Sequence, residues 1–136
     1  MIDWRACIGE PPQHRDYRWK EMTHEPVMID ATATVEAFAS VDCGIERPTR
    51  IGPRSWIMKH AHIGHDVEVG EGVIVCPMSS IGGHATLCDG VRVDMGVTVK
   101  PYVTVGKGAR LGMGAVVLHD VPEGEVWVGN PARRLR

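Results

Sequence analysis

The stretch from Ile51 to Val121, IGPRSWIMKHAHIGHDVEVGEGVIVCPMSSIGGHATLCDGVRVDMGVTVKPYVTVGKGARLGMGAVVLHDV, carries a period of six. Ile51, Ile57, Ile63, Val69, Val75, Ile81, Leu87, Val93, Val99, Val105, Leu111 and Val117 fall on twelve consecutive steps of it. Four residues after each stands a Ser, Ala or Val, from Ser55 and Ala61 to Ala115 and Val121. Such a period fits neither the α-helix nor the coiled-coil heptad. With the aliphatic residue as position one, positions three and four hold pairs such as Pro53-Arg54, His65-Asp66, Gly83-His84 and Lys107-Gly108. Gly and Pro recur there because a corner needs special backbone dihedrals. Each hexad therefore reads as a very short strand, suited to β-branched Val and Ile, followed by a bend. Pieces this short cannot bury their apolar side alone, and stacking them does so. The expected fold is all-β, a parallel solenoid of hexapeptide repeats in a single domain.

Upstream, Ile29, Val35 and Val41 continue the period, with Ala33 and Ala39 at the small position. Ten residues then separate Val41 from Ile51, which places a four-residue insertion bulging around 46–49. A competing phase through Val27, Ala33, Ala39 and Ile45 avoids the insertion but puts weaker residues inside. The bulge is the better reading. Residues 1–26 show no periodicity and are expected to form an N-terminal arm or cap. Residues 27–122 make the solenoid, and 123–136 make a Pro/Gly-punctuated return and tail.

This pattern resembles the left-handed parallel β-helix of the hexapeptide-repeat acyltransferases. The left hand comes from that resemblance, since parallel crossovers are otherwise right-handed. The ending DVPEGEVWVGNPARRLR matches the family's terminal signature. In that family three hexads close one triangular coil, so residues eighteen apart stack at the ~4.8 Å spacing of paired strands. One edge then carries Pro53-Arg54, Glu71-Gly72, Asp89-Gly90 and Lys107-Gly108. A second carries Lys59-His60, Pro77-Met78, Met95-Gly96 and Met113-Gly114. The third gathers His65-Asp66, Gly83-His84, Pro101-Tyr102 and His119-Asp120, with His62 approaching it. Titratable groups scattered in sequence thus meet on one corner.

The stretch HAHIGHDVEVGEGVIVCPMSSIGGHATL, residues 60–87, is similar to the active-site coils of UDP-N-acetylglucosamine acyltransferases. The sialic-acid and bacillosamine acetyltransferase branch also carries a His-acid pair at this place. The resemblance implies direct acyl transfer to a hydroxyl or amine of a sugar or nucleotide sugar. His65 would be the general base, since imidazole titrates near neutral pH. Asp66 would hold its tautomer, as the third group of a triad does. Sequence neighbours on a straight strand point to opposite faces, so that pairing requires the bend at positions three and four. His84 would orient substrate or polarise its oxygen, and Gly82 or Gly83 would offer a backbone N–H to the oxyanion. His62, Lys100 and Tyr102 are further candidates for substrate contact. Lys100 stands where the lipid A enzymes carry another His.

The GNPARRLR ending resembles small acetyltransferases, which implies acetyl-CoA as donor, with acyl carrier protein as the other option. In such enzymes the donor lies between two subunits of a homotrimer, beside late glycines. Gly106, Lys107, Gly112 and Arg133 are the candidates here. The exposed methionine edge of Met78, Met95 and Met113 is expected to be a trimer seam. The γ-class carbonic anhydrases share the fold, and His60, His62 and His65 suggest their zinc. That family spaces two ligands five apart, and five after His65 stands Gly70, so no metal is expected. A non-catalytic trimeric binding module is the other alternative.

Composition sets outer limits. Net charge is −2 with both signs mixed, which gives no basic stripe for nucleic acid. No apolar run has the length of a membrane span or signal peptide. The four cysteines form no CxxC pair and read as reduced thiols of a cytoplasmic protein.

Overall fold

The computed structural model describes residues 1–12 and 23–136. Its strands stack on three faces. One face holds β1 (Cys7–Glu10), β4 (Ser40–Asp42), β7 (His62–Ile63), β10 (Ser80–Ile81), β13 (Thr98–Val99) and β16 (Val116–Val117). The second holds β2 (Val27–Ile29), β5 (Thr49–Ile51), β8 (Glu68–Val69), β11 (Thr86–Leu87) and β14 (Thr104–Val105). The third holds β3 (Thr34–Val35), β6 (Trp56–Ile57), β9 (Ile74–Val75), β12 (Arg92–Val93), β15 (Arg110–Leu111), β17 (Val126–Val128) and β18 (Arg133–Arg134). The strands described pair parallel except the last two, which pair antiparallel where the C-terminal return folds back. The fold is a three-sided β-helix.

Position one fills the interior: Ile57, Ile63, Val75, Ile81, Leu87 and Val93 are fully buried, and the small position five packs beside them. Hydroxyls at position five are satisfied inside. Ser55 Oγ donates to Gly70 O at 2.7 Å and Ser79 Oγ to Asp94 O at 2.9 Å. Position four adopts the left-handed conformation at each corner from Arg54 to Gly114, with φ of 54° at Arg54, 59° at His60, 58° at Asp66 and 60° at His84. Glycine accommodates this without cost, and the other side chains tolerate it because the ladders on both sides fix the corner.

Register confirms the preferred phase. Val41 pairs with Ile63, Val35 with Ile57 and Ile29 with Ile51. The insertion itself lies slightly earlier than expected. Thr49 belongs to β5 and is buried, so the extra residues fall within 43–48. At the N-terminus, β1 runs parallel to β4 and Ile2 bridges to Val35. Ile2 and Ile8, with Ala6 at position five, are one more hexad that the sequence reading passed over. A single repeat cut off by a non-periodic segment carries no periodic signal. The remainder of the expected arm, 13–22, lies outside the described residues.

Candidate functional site

His65 and Asp66 occupy the corner between β7 and β8, and the next coil places Gly83 and His84 directly on them. His84 N–H donates to His65 O at 2.9 Å, and Tyr102 N–H to Gly83 O at 3.0 Å, so three coils are locked corner to corner. The left-handed φ of Asp66 turns its side chain back onto the preceding residue. His65 Nδ1 and Asp66 Oδ2 are consequently 2.7 Å apart although the two are sequence neighbours.

Asp66 is completely buried. Its carboxylate is met by the insertion: Ile45 N–H donates to Oδ2 at 3.0 Å, Glu46 N–H to Oδ1 at 2.7 Å and Arg47 N–H to Oδ1 at 2.6 Å. Arg47 Nε also donates to Asp66 O, and Asp66 N–H donates to Thr49 Oγ1. Burial pushes the carboxyl up; the bonds from His65, Arg47, Ile45 and Glu46 outweigh it and hold it below its ordinary value. An ionised carboxylate only accepts, so His65 Nδ1 must donate and Nε2 keeps the lone pair. This is the tautomer a general base needs.

Nε2 lies against Gly83. A Cβ there would stand 2.6 Å from it, so any side chain at 83 would move the ring. His65 opens onto a cleft of about 710 Å³ lined by Cys7, Glu10, Asp42, His62, His65 and Gly83. His62 is held by Ser40 Oγ, 2.8 Å from its Nδ1, and its Nε2 faces Asp42 Oδ2 at 3.7 Å.

The other sequence candidates separate. His84 sits behind Asp66, Nε2 3.6 Å from Oδ2, its ring edge-on to His65 and stacked on Tyr102 at 4.5 Å. It supports the pair from the side away from the cleft. Tyr102 is largely exposed beyond it, and Lys100 lies a coil above the cleft wall. Gly82 commits its N–H to Val99 O and packs under Pro101, which leaves Gly83 as the donor of the two outside the ladder. Gly106 and Gly112 are glycine for packing: a Cβ would meet Glu123 N at 2.5 Å and Val128 Cγ1 at 2.6 Å. Lys107 borders a hollow with Glu71 and Asp89, and Arg133 lies on β18 with its guanidinium on Ala132 O. Gly106 and Lys107 are chain neighbours, whereas Gly112 packs on Val128, the strand partner of Arg133. His60 stacks on Phe38 at another corner, so His60, His62 and His65 do not form a metal set. Among the described residues, the metal-ligand atoms that do converge are those of His65, Asp66 and His84, all within 4.8 Å.

Sequence reasoning missed Glu10, Asp42 and the amides of 45–47. Backbone amides leave no residue-type signal, and Glu10 reaches the cleft only through the unrecognised first hexad.

Residues 48–83 match the bacterial transferase hexapeptide (six repeats) family. The structure also superposes on Arabidopsis UDP-N-acetylglucosamine acyltransferase with a TM-score of 0.90, at 25% identity, over 95% of this chain and 45% of that one. This is a left-handed β-helix of hexapeptide repeats. The hexapeptide chain is 50% identical over 110 residues to a UDP-3-O-acylglucosamine N-acyltransferase of Maricaulis maris, covering 81% of itself and 32% of that relative. It is 35% identical over 81 residues to an acyl-(acyl-carrier-protein)–UDP-N-acetylglucosamine O-acyltransferase of Syntrophobacter fumaroxidans, 57% of this chain and 30% of the other. The hexapeptide chain thus spans about a third of the length of these curated relatives.

Proposed function

We propose that this hexapeptide protein is an acyltransferase that moves an acyl group from a thioester to a hydroxyl or amine of a sugar or nucleotide sugar. His65 is the general base. As the acceptor oxygen or nitrogen forms its bond to the thioester carbonyl carbon, its proton passes to His65 Nε2. Asp66 stabilises the imidazolium, and the Gly83 N–H is the proposed backbone donor for the oxyanion. The C–S bond then breaks, and the departing thiolate recovers the proton from His65. The observation carrying this reading is the 2.7 Å contact between His65 Nδ1 and the buried Asp66 carboxylate, with the His65 ring at the cleft. The relatives named above, an N- and an O-acyltransferase of UDP-sugars, support the acceptor class.

Acetyl-CoA is the proposed donor, with an acyl carrier protein thioester as the other source. The functional unit is proposed to be a homotrimer joined along the exposed Met78, Met95 and Met113 edge. Free-thiol release from acetyl-CoA in the presence of nucleotide sugars tests the activity. Turnover that falls by ~10² or more in His65→Ala is expected; equal rates would refute the assignment. The convergence of His65, Asp66 and His84 favours a metal as the second reading. Zinc at one equivalent per chain, retained through dialysis, would replace the base with a ligand set.

A further inference from the structure

The cleft beside His65 has an acidic wall that acyl transfer as described above does not use. Glu10 and Asp42 are in register on β1 and β4, one coil apart, and both line the cleft. Like charges on directly paired strands repel, so this arrangement costs stability unless something positive is shared between them. Asp42 has no arginine or lysine ion pair among the described residues; its titratable neighbours are His62, His65 and Glu10. Burial raises its carboxyl, His62 and His65 draw it back, and Glu10 raises it again. No lysine or arginine among the described residues lines the cleft, and Glu10 and Asp42 disfavour a phosphate placed beside them.

From this wall, resting on the reading of the cleft as the acceptor site, we infer that the acceptor is an amine, held as its ammonium between Glu10 and Asp42 within reach of His65. Charge-assisted hydrogen bonds to two carboxylates would select it over the corresponding hydroxyl. His62, fixed by Ser40, stands beside Asp42 with its Nε2 3.7 Å from Oδ2. The ammonium loses one proton to water to become the nucleophile. Its nitrogen then forms the C–N bond to the thioester carbonyl carbon, a second proton passes to His65 Nε2, and the thiolate leaving on C–S cleavage takes that proton. The products are an amide, a thiol and one proton in solution. Any diphosphate of the acceptor must lie away from this wall.

The test is an NMR titration of the His62 and His65 imidazole resonances at pH 7 with methyl glucosaminide and, separately, methyl glucoside. The amine sugar should bind about tenfold more tightly. That preference should shrink severalfold in Glu10→Gln, an exposed position that leaves the fold intact, and disappear in Asp42→Asn. His65→Ala, followed at His62, should keep the preference. Equal affinity for the two sugars overturns the inference, as does a preference unchanged in both carboxylate variants. If the amine is preferred yet no thiol is released with any acceptor, the ammonium site stands and the acyl-transfer reading fails. If thiol release proceeds with hydroxyl sugars and equally well without Asp42, acyl transfer stands and the amine selection fails.

Discussion

The backbone N–H of Arg47 donates to Asp66 Oδ1 at 2.6 Å across nineteen residues of sequence. With the amides of Ile45 and Glu46 it forms a small anion-binding loop, the inserted residues closing over a carboxylate on the next coil. The insertion is therefore part of the site: it fixes the charge that fixes the tautomer of His65.

Asp66→Asn tests this chain of dependence. Asn tolerates the left-handed φ, so the corner survives. Its amide nitrogen, however, must face a donor, since all four partners of the carboxylate are N–H groups. We expect stability to fall by about 2–4 kcal/mol and turnover by about 10³-fold or more. Chemical denaturation and thiol release measure the two separately.

The pH dependence of stability follows from the same carboxyl. Its value is depressed in the fold. Its contribution is therefore complete above the unfolded value of about 3.9 and is lost as pH falls through the lower folded value. Urea midpoints between pH 6 and 2 should drop in the wild type below about pH 4. In Asp66→Asn the profile should be flatter in that window.

Gly83→Ala separates ring placement from folding. Gly83 does not have a left-handed φ, and the new methyl would meet the His65 ring at 2.6 Å rather than the backbone. Displacing the imidazole by about an ångström should cost roughly 10²-fold in turnover. The melting temperature should move by only a few degrees.

Gly72→Ala probes the corners alone. A Cβ at Gly72 touches nothing, yet its φ is +64°. The expected loss is about 1–2 kcal/mol from backbone conformation, read from denaturant midpoints. No loss would mean that the ladder, rather than local preference, sets corner energetics.

Much of this was legible in the sequence because a six-residue period ties side-chain direction to position. Ile51 through Val117 gave the interior, and the His65-Asp66 and Gly83-His84 pairs gave the corner. The offset between Val41 and Ile51 gave the register of the insertion but not its role, since three backbone amides look the same whatever residues carry them. Gly106 and Gly112 read as room for a ligand, whereas the C-terminal return fills that room. Glu10 escaped because the turn holding it is joined to the helix by residues without a repeat.

The most direct test of the central claim is a crystal structure with acetyl-CoA bound, alongside His65→Ala. The thioester carbonyl carbon should lie on the Gly83 side of His65 Nε2, facing the cleft of Glu10 and Asp42. Donor bound with its thioester remote from His65, or no donor bound at millimolar concentration, would contradict it.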